Sequence, residues 1–137
     1  MQADKFISGT GQVYFMNEDL YTRLGGQAAV NAAVEIFYRK VVRDPRVKMF
    51  FSGTDINEQI EKQKGFLTFA FGGASHYSGK DLRIAHAPLV RRGLSSAHFD
   101  TVVQHLRSTL EELGVEKSLI NEALKIVEHT RHEVLDR

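Results

Sequence analysis

Apolar residues recur at helical spacing almost everywhere after Asn17, and no stretch carries a convincing strand alternation. That pattern restricts the chain to an all-α fold. A short segment from Glu18 to Leu24 stops at Gly25–Gly26. A longer helix to about Asp44 places Val30, Val34, Phe37, Tyr38 and Val41 on one face. Pro45 ends it, because the residue before a proline is pushed out of the helical region. After a turn bearing Phe50 and Phe51, Asp55 or Asn57 caps a helix that runs to Gly72–Gly73. A glycine- and serine-rich loop leads to a helix from about Asp81 to Arg92, closed by Gly93. Ser95 or Ser96 caps the next helix, with Phe99, Val102, Val103, Leu106 and Leu110, which ends at Gly114. The last helix presents Ile120, Leu124, Val127 and Val134. Six helices with short connections are expected over residues 17–137. Residues 1–16, interrupted by Gly9 and Gly11, are expected to form an N-terminal extension.

Composition narrows the function classes. The 137 residues suit one domain, and 18 Lys/Arg against 17 Asp/Glu leave a net charge of +1. That balance points to no nucleic acid and no membrane surface as partner. No apolar run approaches the ~20 residues that span a bilayer, and the opening residues lack the apolar core of a secretory signal. A soluble monomer in the cytoplasm, or otherwise intracellular, is the expectation. Without cysteine, thiolate metal sites and cysteine nucleophiles are excluded, which leaves six histidines as nitrogen ligands.

Three polar residue groups fall where the pattern calls for apolar ones. On the helix from Asn57 to Phe71, Gln59, Lys62, Gln63, Phe66 and Ala70 form a stripe beside the apolar one. It is either a solvated flank or the wall of a pocket whose occupant accepts hydrogen bonds. His86 stands within the stripe Leu82, Ala85, Leu89. It reads as a core histidine bonded to a carbonyl, or as a single imidazole aimed at a haem iron, angled by Pro88. Tyr38, next to Phe37, needs a partner for its hydroxyl, either solvent or a ligand.

The strings LYTRLGGQAAVNAAVEIFYRKVVRDPRVKMFF, QKGFLTFAFGG, HYSGKDLRIAHAPL and GLSSAHFDTVVQHL, in that order over about residues 18–137, closely resemble group I truncated haemoglobins. The resemblance implies a two-over-two helical sandwich around one haem b (iron protoporphyrin IX). His86 matches the proximal iron ligand. Phe51, Phe66, Phe69 and Leu82 fall at haem-pocket positions. Tyr38 matches the tyrosine that bonds a bound diatomic, with Gln59 and Gln63 at polar distal positions. Tyr77 lies where it can reach a haem propionate, with Lys80 and Arg83 as further partners. Lys62 stands where some relatives carry a histidine that ligates iron. An amine ligates only after losing its proton, which for a lysine side chain in water costs about 4.6 kcal/mol at pH 7. Ligation by Lys62 and pairing with a propionate or water both stay open. His132 aligns with a histidine that in some members bonds covalently to a haem vinyl group, and His129 is its rival. His98 and His105 are expected to be structural or exposed, and His76 to lie in a loop.

Dioxygen and nitric oxide are the expected ligands. Hydrogen-bond donors around bound oxygen favour retention over transport, hence nitric oxide dioxygenation with a separate, unidentified reductase, since no dinucleotide fingerprint is present. The alternatives are a redox, nitrite-reducing or gas-sensing haem protein, an oxygen store, or a cofactor-free helical interaction module.

Overall fold

A computed structural model describes residues 19–51, 55–72 and 79–136, and the expected boundary at 16/17 lies outside them. The helices among the described residues are α1 (Leu20–Leu24), α2 (Gly26–Val41), a 3₁₀ turn (Lys48–Phe50), α3 (Ile56–Ala70), α4 (Gly79–Arg91), α5 (Ser96–Glu112), α6 (Lys117–Glu128) and α7 (Arg131–Leu135).

Local chemistry explains most of the ends. The Asp19 carboxylate accepts the Thr22 N–H at 2.9 Å and opens α1. Gly25 closes α1 at φ +118° and at once begins α2. A Cβ there would also meet the Ala29 Cβ at 3.0 Å, so both conformation and space demand glycine. Helix α2 stops at Val41, three residues before the expected Asp44. The Arg43 and Asp44 N–H groups turn to the carbonyls three residues back, and the Asp44 side chain goes to the turn that follows. Asp55, rather than Asn57, caps α3 through the Glu58 N–H. Ser95 caps α5, with its N–H donating to His98 Nδ1 at 3.0 Å, a reciprocal cap that uses histidine in place of Glu or Gln.

Two elements differ from expectation. Helix α4 starts two residues earlier, at Gly79, and runs through Pro88 to Arg91, one residue short of the expected Arg92. The expected last helix is two helices. At the break, the Thr130 hydroxyl donates to the Val127 carbonyl at 2.7 Å and the Thr130 N–H goes to the same oxygen. That side-chain bond competes with the helical ladder.

Helices α2 and α3 pack as one pair and α5 and α6 as another, with α2 crossing α5, while α4 rests on α7. This is the two-over-two arrangement. Val34, Val41 and Val47 are fully buried at its centre. Thr109, also fully buried, satisfies its hydroxyl on the His105 carbonyl at 2.7 Å. Among the described residues, no helix is long and apolar enough to cross a membrane.

Candidate functional site

A cavity of about 360 Å³ opens between the helix pairs and α4, within the range of small-molecule and cofactor sites. Helix α2 contributes Phe37 and Tyr38, α3 contributes Gln59, Lys62, Gln63 and Phe66, and α4 contributes Leu82 and His86. Phe51 closes one corner, its ring edge-on to Tyr38 with centroids 5.4 Å apart. Most of the rest of the wall is apolar, including Phe99, Leu106 and Val134 from α5 and α7. The residues singled out on three separate helices therefore meet around one space.

His86 has a defined tautomer. Its Nδ1 lies 2.9 Å from the Leu82 carbonyl, one helical turn back. A carbonyl can only accept, so Nδ1 carries the proton and Nε2 keeps its lone pair. Burial holds the ring below the usual histidine range, against the Leu82 bond, which favours the protonated form. A neutral imidazole with its lone pair free is the form that binds a metal.

The polar stripe of α3 divides. Gln59 and Gln63 are half-buried on the wall. Lys62 also lines the cavity but stands at its rim, with its side chain 54% exposed and Nζ 3.3 Å from Glu58 Oε2. Phe69 is not on the wall and is 45% exposed. At ~100° per residue it sits beside Lys62 at the edge of the cavity-facing arc, whereas Phe66 sits near its middle.

Among the remaining candidates, Tyr77 and His76 lie outside the described residues, as does the side chain of Lys80. Arg83 is paired with Asp136 at 2.6 Å. His132 is off the wall and 59% exposed, with Nε2 2.8 Å from Glu133, and His129 is exposed at the end of α6. His105 bonds Asp44 at 2.6 Å. The Arg46 side chain, its backbone N–H and His105 together hold the Asp44 carboxyl far below the usual range. Sequence reasoning missed Arg92 and Thr130, both on the wall. Thr130 interrupts the periodicity of the last helix, but Arg92, just before a helix-ending glycine, carried no such signal.

The donor set discriminates between occupants. The wall holds one histidine and no carboxylate or thiolate, and no cluster of three potential ligands occurs among the described residues. A bare divalent ion would find too few ligands there. A haem iron, already ligated by its porphyrin, would need one further nitrogen and an apolar slot, and the wall offers His86 among largely apolar residues.

Comparison with known proteins agrees. The profile of the bacterial-like globin family matches residues 19–136. The group 1 truncated hemoglobin of Tetrahymena pyriformis is 45% identical over 120 residues, 88% of this chain and 97% of that protein. The group 1 truncated hemoglobin GlbN of Synechocystis sp. is 44% identical over 115 residues, covering 83% and 93%. The crystal structure of the 2/2 hemoglobin from Synechococcus sp., in the cyanomet state with covalently attached heme, superposes with a TM-score of 0.83 at 46% identity, covering 88% of this chain and all of that one. The chain belongs to the bacterial-like globin family as a group 1 truncated haemoglobin, a haem-containing, oxygen-binding globin.

Proposed function

We propose that this globin consumes nitric oxide by dioxygenation, with His86 as the iron ligand and a separate reductase restoring the ferrous state. The observation that carries the reading is the pairing of one Nε2-free histidine with a cavity wall that bears a phenol and two carboxamides. Haem, when bound, supplies an iron that takes a diatomic ligand and exchanges one electron. His86 Nε2 would hold that iron, with the Leu82 carbonyl fixing the ring and sharpening its basicity. The Tyr38 hydroxyl and the amide groups of Gln59 and Gln63, all on the cavity wall, would donate hydrogen bonds to a bound diatomic. Each such bond contributes about 1.5–3 kcal/mol, which favours retention of oxygen over release. Phe51 and Phe66 exclude water from the reacting atoms. Oxygen and nitric oxide, with the one electron that haem would supply, would then give nitrate.

Lys62 adds a resting state. From the rim its amine, once deprotonated, swings from Glu58 into the cavity and takes the position a diatomic would fill.

Rapid mixing of the oxygenated protein with nitric oxide tests the main reading. One nitrate should form per haem within the mixing experiment, with conversion to the ferric spectrum. Failure to form a lasting oxygenated state, together with fast nitrite reduction by the ferrous protein, would contradict it in favour of a redox or sensing role.

A further inference from the structure

We infer that the turn after α2 and the end of α4 form one cationic docking face for an acidic, one-electron carrier protein. The inference rests on the haem reading above and specifies the class of reductase. Residues 43–48 carry Arg43, Arg46 and Lys48 around a single carboxylate, Asp44, which is buried and already bonded by Arg46 and His105. Arg91 and Arg92 end α4, and the Arg92 guanidinium joins the two segments by donating to the Met49 carbonyl over the Phe50 ring. Arg43, Lys48, Arg91 and Arg92 are all exposed and have no carboxylate partner among the described residues. Cations elsewhere are often neutralised, as in Arg23–Glu122, Lys40–Glu112 and Arg131–Asp100.

The same segment also carries exposed apolar side chains. Val42 and Met49 are 38% and 43% exposed and lie among these cations in the sequence. Exposed apolar side chains alongside charged ones are the usual composition of a transient protein interface. Its position beside the cavity gives the second argument, since Phe50 and Arg92 are themselves wall residues. A partner seated there lies at the edge of the space that holds the haem. The net charge of +1 leaves the whole surface with little general attraction for polyanions, so the local excess favours a partner with a matching acidic patch. In the step served, the reduced carrier loses one electron and the ferric iron gains it, with no proton or group transferred.

The test uses haem-loaded full-length protein and photoreduced plant-type [2Fe–2S] ferredoxin as the acidic carrier, with carbon monoxide trapping the ferrous product. Two double variants are compared, Arg43→Gln/Lys48→Gln on the face and Lys117→Gln/Lys125→Gln on α6. The wild-type rate should fall roughly tenfold or more between about 20 mM and about 300 mM salt. The first variant should be slower by about tenfold at low salt, with dithionite reduction unchanged, and the second should match wild type. A salt-independent rate, or equal loss in both variants, overturns the assignment. So does tighter binding to phosphatidylserine vesicles than to ferredoxin, which would make the face a membrane contact. A protein with no Soret absorbance before any carrier is added would overturn the haem reading itself.

Discussion

Tyr38 places a phenol in a nearly closed environment, 5% exposed and flanked edge-on by Phe37 and Phe51. Tyr38→Phe keeps the ring packing and removes only the donor, so oxygen dissociation should rise about 10- to 100-fold in laser-flash or stopped-flow measurements. An unchanged rate would remove Tyr38 from ligand stabilisation. Lys62 is tested by its spectrum: the ferric protein at neutral pH should be low-spin and six-coordinate, and Lys62→Ala should be high-spin with water bound. Identical spectra would reject ligation. At this scale His86 and Tyr38 were legible because each put a polar group on an apolar face, and Gln59 and Gln63 because they share a stripe with Phe66 and Ala70 beside the apolar one. Phe69 was misplaced because two phenylalanines three residues apart point about 60° apart on a helix, enough to put one in the cavity and the other in solvent. Arg92 was hidden because an arginine in the last turn of a helix has an ordinary reason to be there.

Helix boundaries depend on contacts that periodicity does not contain. The glycine pair at 25–26 was readable as a stop, and Gly25 shows why, with φ at +118° and only 3.0 Å between a would-be Cβ and Ala29. Gly25→Ala should destabilise the fold by about 1–2 kcal/mol or more, seen as a lower Tm in thermal melts followed by circular dichroism. A Tm equal to wild type would show that the α1–α2 junction relaxes. The early end of α2 was not readable, because it depends on Asp44 accepting bonds from Arg46 and from His105, which is 61 residues away. The α6–α7 break rests on one threonine hydroxyl, and a threonine within an apolar period does not announce which carbonyl it will choose.

Across the whole molecule, the Asp44–His105 contact ties the turn after α2 to α5 and so holds two cavity walls together. The Asp44 carboxyl is held below its unfolded value, so its contribution is complete above about pH 3.9 and is lost as the pH falls through the folded value. Asp44→Asn should therefore lower stability at neutral pH and flatten the acid limb of a pH–stability profile below about pH 4. An acid limb as steep as wild type would assign the dependence to other carboxylates. The all-α class followed from the spacing of apolar residues and the two-over-two pairing from the family resemblance, but the cavity itself appears only when six helices supply its wall. On the proposed reading, the iron would be held by the lone pair that the Leu82 carbonyl leaves free on His86. The most direct measurement is the ferrous absorption spectrum of haem-loaded His86→Gly, taken with and without added imidazole. The wild-type spectrum should disappear in the variant and return when imidazole fills the vacated position. A variant whose spectrum matches wild type without imidazole would show that the iron is held by something other than His86.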